Sequence, residues 1–333
     1  MFDPHRYDDD RMTYRRCGDS GILLPAISLG LWQNFGHTSD FDEARNMMRR
    51  AFDRGVTHFD LANNYGPPPG SAEENAGRIL SGDFAAHRDE LFISTKAGYH
   101  MWKGPYGEWG SRKHLLSSLD QSLRRLRLDY IDVFYHHRPD PETRLEESMS
   151  ALATAVNSGK AIYAGLSNYP LDRLREAISL LKQMGVRCLI YQPAYSIFRR
   201  EVEAAGIFDH LHEENIGSAV FSPLAQGMLT PKYLNGIPDD SRAASTSPFL
   251  NPDQVRTRQE QILALGKLAA DHGIPLHHMA LRWALRKPAV TTAIIGARTV
   301  AQLDDSLNSL HAPPLPESLW QAIDQIAPME GIG

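Results

Sequence analysis

Cysteine is scarce: Cys17 and Cys188 are the two in 333 residues. One bond between them is conceivable, but no disulfide framework can exist, and a reduced setting is expected. Long apolar runs are also missing. No stretch approaches the roughly 18 residues a transmembrane helix needs. Residues 1–11 are polar and acidic, without the apolar centre of a secretory signal, so a cytoplasmic location is expected. Excess positive charge is absent as well. Thirty-five basic and 40 acidic residues leave a net charge of −5. That balance argues against a nucleic-acid partner, and neither nucleic acid nor membrane is expected. Metal-ligand spacing is lacking too. His136-His137 and His277-His278 have no matching cysteine, histidine or carboxylate set nearby, so no metal site is expected. A hydrophobic content of 42% and a charged content of 23% then describe an ordinary globular protein.

What is present is a rhythm. Short apolar runs at 27–29, 57–60, 91–95, 130–135, 161–166, 188–192, 218–221 and 292–295 read as strands. Amphipathic stretches at 42–54, 71–80, 112–126, 145–157, 171–184, 206–214, 254–272 and 300–307 read as helices. Strands alternating with helices imply a parallel sheet. Eight such pairs predict one (β/α)8 barrel domain spanning residues 1–333. A doubly wound sheet would want a GxGxxG turn after the first strand, and ISLGLW at 27–32 supplies none. Residues 12–16 and 22–25 predict a hairpin able to plug the barrel floor, and residues 317–326 a C-terminal helix. Ser71-Ala72-Glu73-Glu74 has the pattern of a capping box. Three long loops, at 66–70, 97–110 and 234–253, follow the second, third and seventh strands. They belong on the C-terminal face of a barrel, where active sites sit. The last reads equally as a cofactor-covering lid or as a solvated loop.

Four polar residues fall at or after strand ends on that face: Asp60, Tyr65, Lys96 and His137. A lysine cation near a phenol favours the phenolate and lowers the phenol's pKa. An aspartate can hold the lysine charged. The set suits proton donation to a carbonyl oxygen, with a reductant still to be supplied. A lysine at a barrel strand end also admits a Schiff-base aldolase, which would leave Tyr65 and Phe221 without a role.

The stretches GVTHFDLANNYG (55–66), ISTK (93–96), LDYIDVFYHHR (128–138), GLSN (165–168), FSPLAQG (221–227) and IGAR (295–298) resemble the aldo-keto reductases. Residues 62–77 and 224–242 resemble the bacterial L-glyceraldehyde 3-phosphate reductase group, itself similar to potassium channel β subunits. The resemblance implies a (β/α)8 barrel that reduces small aldehydes, such as L-glyceraldehyde 3-phosphate or methylglyoxal-like carbonyls, to alcohols with NADPH. It would be an oxidoreductase acting on CH–OH groups. Tyr65 would be the acid, Asp60 and Lys96 its tuners, and His137 the residue that orients the carbonyl. The cofactor contacts implied are Trp32, Ser167, Asn168, Gln192 and Phe221 near the nicotinamide. Ser222, Leu224, Gln226, Lys232 and Arg242 would serve the pyrophosphate loop, and Gly296, Arg298, Gln302 and Asp305 the adenosine end.

Relatives often read Gly-Ala-Ser where this chain has Gly296-Ala297-Arg298. Arg298 can pair bidentately with a 2′-phosphate, hence the expected preference for NADP(H). Asp305 shortens an acid, and Ser306 replaces an asparagine. Trp32, Trp102 and Arg138 are the expected substrate contacts, Arg138 for a phosphate. The resemblance also admits a cofactor-binding regulatory subunit. The short segment before the hairpin favours an enzyme, and a tetramer or larger ring of identical chains is open.

Overall fold

A computed structural model of the chain describes residues 1–8, 11–245 and 248–329. The expected hairpin forms first, as β1 (Tyr14–Arg16) paired antiparallel with β2 (Leu23–Pro25). Eight parallel strands follow: β3 (Ile27–Gly30), β4 (His58–Asp60), β5 (Phe92–Ala97), β6 (Ile131–His136), β7 (Ala161–Ser167), β8 (Cys188–Gln192), β9 (Gly217–Phe221) and β10 (Thr292–Ile295). They hydrogen-bond in sequence order, and β10 closes on β3, so the sheet is a closed barrel.

The helices between the strands are α1 (Phe41–Asp53), α2 (Ser71–Gly82), α3 (Arg112–Leu126), α4 (Leu145–Asn157), α5 (Leu171–Gln183), α6 (Glu201–Ala204), α7 (Ile207–Glu213), α8 (Pro252–Asp271) and α9 (Leu276–Leu285). After the last strand come α10 (Val300–Asn308) and the expected C-terminal α11 (Glu317–Ile326). None of the described helices is long and apolar enough to cross a membrane.

Local chemistry sets most of these boundaries. Asp40 caps α1 by accepting from the Glu43 N–H, and Gly55 at φ 81° turns the chain away at its end. The capping box expected at Ser71 is not formed. The Ser71 hydroxyl donates back to the Pro68 carbonyl at 2.6 Å, and Gly70 occupies the cap position at φ 90°. Among the described residues, the one reciprocal box is at α8, where Asn251 and Gln254 cap each other ahead of Pro252. α9 is an addition to the sequence reading.

The hairpin does cover the barrel floor. Cys17 and Leu24 pack with Phe92, Val133, Leu189, Ile190, Ala219 and Ile294 at the barrel's centre. A Cβ on Gly217 would stand 2.2 Å from the Cys17 sulfur, so this approach requires glycine. Cys17 and Cys188 are both buried free thiols, and burial pushes each up to about 12. Neither is poised to react.

Candidate active site

The strand register delivers the four candidates to one place. Asp60 ends β4 opposite Ser94 of β5. The chain then turns tightly, the Tyr65 N–H bonding the Ala62 carbonyl at 3.0 Å, and the phenol comes back over the barrel mouth. Lys96 of β5 is wholly buried. Its Nζ donates to Asp60 Oδ2 at 2.6 Å, to the Leu61 carbonyl at 2.5 Å and to the Tyr65 hydroxyl at 3.4 Å. His137 follows β6 directly, and its ring lies 6.0 Å from the Tyr65 ring.

The expected lowering of the Tyr65 phenol by Lys96 does not prevail. Burial pushes the phenol well above the ordinary tyrosine value, with Asp60 and Tyr99 adding to the rise. Lys96 is itself lowered by burial, against the pull of Asp60. His137 is held well below its ordinary value, first by burial and then by the Lys96 charge. The mouth of the barrel therefore presents a neutral phenol and a neutral imidazole. Both are hydrogen-bond donors without net charge, suited to a polarised oxygen.

The mouth opens into a cleft of about 800 Å³ that runs past β9 and β10. Asp60, Tyr65 and His137 line it, together with Trp32, Asn168, Gln192 and Phe221. Ser222, Leu224, Gln226, Lys232, Arg242, Gly296, Arg298, Gln302 and Asp305 line the same cleft. Ser167 sits just behind this lining, wholly buried, its hydroxyl on the Gln192 carbonyl at 2.7 Å.

The charges in the cleft are unequal. Lys232 is already paired with Asp240 at 3.1 Å. Arg242 donates to Gln226 and, at 3.1 Å, to Gln33. Burial and the nearby Arg298 charge both lower it. Among the described residues, no carboxylate forms an ion pair with Arg242 or Arg298. Two guanidiniums close enough to influence one another suit an anion.

Two expected substrate contacts are not brought to the cleft. Trp102 packs on His114, ring centroids 5.3 Å apart. Arg138 lies between the rings of Tyr99 and Trp109, 4.1 and 3.7 Å away. It pairs with Glu108 and bonds the Gly98 carbonyl at 3.1 Å. Its charge is spent on pinning the loop after β5, so it is not free for a phosphate.

Asp305 also departs from expectation. It accepts from His277 and His278 at 2.8 and 2.9 Å. This corrects the reading that these histidines have no matching carboxylate, since α10 brings one from 27 residues away. The three ligand atoms lie within 4.8 Å of one another.

Sequence reasoning missed other wall residues. Tyr99 packs edge-on against His137 at 4.6 Å, and Phe249 against Trp32 at 4.6 Å. Asn64 and Arg199 also face the cleft. Asn64 adjoins Tyr65, and Tyr99 follows Lys96 closely, so proximity to the candidates was an available signal.

Comparison with known proteins bears on the fold and the family. The Aldo/keto reductase family model matches residues 26–328. The chain is 51% identical over 315 residues to the L-glyceraldehyde 3-phosphate reductase of Escherichia coli K12, covering 93% of this chain and 90% of that one. It is 33% identical over 310 residues to a probable voltage-gated potassium channel subunit beta of Oryza sativa subsp. japonica, covering 91% and 93%. An aldo-keto reductase structure from Bacillus halodurans, solved as a holo form, superposes with a TM-score of 0.77 at 24% identity, covering 96% and 98%, and shows the same fold.

Proposed function

The chain belongs to the aldo/keto reductase family, and from that premise we propose that it reduces small aldehydes to alcohols with NADPH, the proton coming from Tyr65. The observation that carries this reading is the Asp60–Lys96–Tyr65 contact series on a cleft of about 800 Å³. The cleft fits a dinucleotide: its lining includes the aromatic ring of Phe221 as well as Tyr65, and Arg242 and Arg298, which form no ion pair with a carboxylate among the described residues. When bound, the cofactor supplies a hydride to the carbonyl carbon.

The chain's own residues do the rest. Ser167, Asn168 and Gln192 would hold the carboxamide, and Arg242 and Arg298 the phosphates. Tyr65 and His137 orient the carbonyl oxygen, and Tyr65 gives up its proton as negative charge develops there. Lys96 then faces an incipient phenolate at 3.4 Å, and its charge stabilises the transition state more than the ground state. Lys96 is too deeply enclosed by Asp60, the Leu61 carbonyl and Tyr65 to serve as a Schiff-base nucleophile. The similarity to L-glyceraldehyde 3-phosphate reductase supports that aldehyde, or a methylglyoxal-like carbonyl, as substrate.

The test is a panel assay following NADPH oxidation with both enantiomers of glyceraldehyde 3-phosphate, methylglyoxal and nitrobenzaldehyde. Turnover of at least the L enantiomer is expected. Tight NADPH binding without turnover of any aldehyde would favour a regulatory subunit, the reading that the potassium channel relative supports.

A further inference from the structure

Below the cleft, side chains with no part in the chemistry above form one continuous polar series inside the barrel. Thr292 Oγ1 lies 2.6 Å from Ser28 Oγ, and Ser28 Oγ lies 2.8 Å from His58 Nδ1. His58 Nε2 is 3.0 Å from Ser94 Oγ, which is 2.7 Å from Asp60 Oδ1. The four residues come from β10, β3, β4 and β5, neighbours around the barrel, and all are wholly buried. A barrel interior is ordinarily filled by branched apolar side chains. Four polar ones there carry a desolvation cost that only complete pairing offsets.

The pairing has a single sense. A carboxylate oxygen accepts, and Asp60 Oδ1 accepts from the Ser94 hydroxyl. The Ser94 oxygen therefore accepts from His58 Nε2–H. An imidazole protonated at Nε2 has its lone pair at Nδ1, which accepts from Ser28, and Ser28 accepts from Thr292. Burial pulls His58 down to about 4, with Lys96 acting the same way and Asp60 opposing, so the ring is neutral at physiological pH, as this pattern requires. Each proton in the series points toward the carboxylate, and such bonds polarise one another.

We propose that Ser94, His58, Ser28 and Thr292 are positioning residues for the reaction, holding the Asp60 carboxylate in one orientation and so setting how strongly Lys96 and Tyr65 couple. The proposal rests on the reading of Tyr65 as the proton donor. Asp60 is otherwise faced by Lys96 at 2.6 Å and Gln192 at 2.9 Å. Tyr65 is faced by Lys96, Asp60, Tyr99 and His137, and His58 by Asp60, Lys96 and the edge of Phe92 at 5.4 Å.

The test is the pH dependence of kcat for alcohol oxidation with NADP⁺, where the phenolate is the active form. Ser94→Ala removes one donor, so Asp60 presents more unscreened negative charge to Tyr65. The limb on which the rate rises moves to higher pH by about one unit, with about a tenfold loss of kcat below it. NADPH affinity stays unchanged. Thr292→Val, isosteric at the far end, moves the limb in the same direction by less, and it decides the matter alone if Ser94→Ala does not fold. A limb that stays put or moves down while only the melting temperature falls overturns the proposal. Tyr65→Phe run in parallel separates the two ideas: if the limb survives without the phenol, the proton-donor reading has failed and not merely the positioning series.

Discussion

At the residue scale, the telling feature is a phenol that burial keeps protonated. A raised folded-state pKa means that the proton is retained through neutral pH and lost only above the usual tyrosine range, about 10. Aldehyde reduction, which uses the phenol, is therefore expected to be flat in kcat across neutral pH and to fall only in strong alkali. Alcohol oxidation, which uses the phenolate, should rise with pH. Matched pH profiles in the two directions check this, and a reduction rate already falling below pH 7 would contradict it. Arg298 is the other residue with a definite consequence. Replacing it by alanine should cut the NADPH over NADH preference by about tenfold, the worth of one charge-assisted bond, leaving NADH turnover nearly untouched. Equal ratios in wild type and variant would remove the 2′-phosphate role. Asp60, Tyr65, Lys96 and His137 were legible because each follows or ends an apolar run. Arg138 was misread because its partner, Glu108, is 30 residues away in sequence and meets it only in the fold. His58 and Ser94 each stand two residues before a candidate, which in a strand means the same inward face. That signal was available and not used.

At the scale of elements, the eight barrel strands were legible as apolar runs, and their boundaries agree within one or two residues. α9 was not, for a physical reason. Leu276, His278, Met279, Ala280, Leu281, Trp283, Ala284 and Leu285 are all buried, so the helix has no polar face to impose a 3.6-residue period. Ser71 satisfied a capping pattern that the preceding turn then used differently. Element packing also sets a stability test. A Cβ on Gly77 of α2 would come within 2.0 Å of the Arg125 carbonyl of α3, and backbone there cannot yield cheaply. Gly77→Ala is expected to cost about 1–3 kcal/mol, read as a lower midpoint in denaturant at unchanged m-value. An unchanged midpoint would mean that the two helices are not held that close.

At the scale of the whole molecule, the counted strand–helix pairs identify the barrel, and the barrel in turn determines where chemistry can occur. A chain with a net charge of −5 must gather bases to hold a polyanionic cofactor. Arg242 and Arg298, which form no ion pair with a carboxylate among the described residues, are the bases proposed for that, whereas Lys232 is already paired with Asp240. The central claim joins these scales: one phenol lining that cleft is proposed as the proton donor of an aldehyde reductase. It is tested most directly by comparing Tyr65→Phe with wild type for NADPH-dependent reduction of L-glyceraldehyde 3-phosphate, with NADPH affinity measured on the same samples. The account predicts a loss of about 10²–10⁴-fold in kcat with cofactor affinity unchanged. A Tyr65→Phe protein that reduces the aldehyde at the wild-type rate would contradict it.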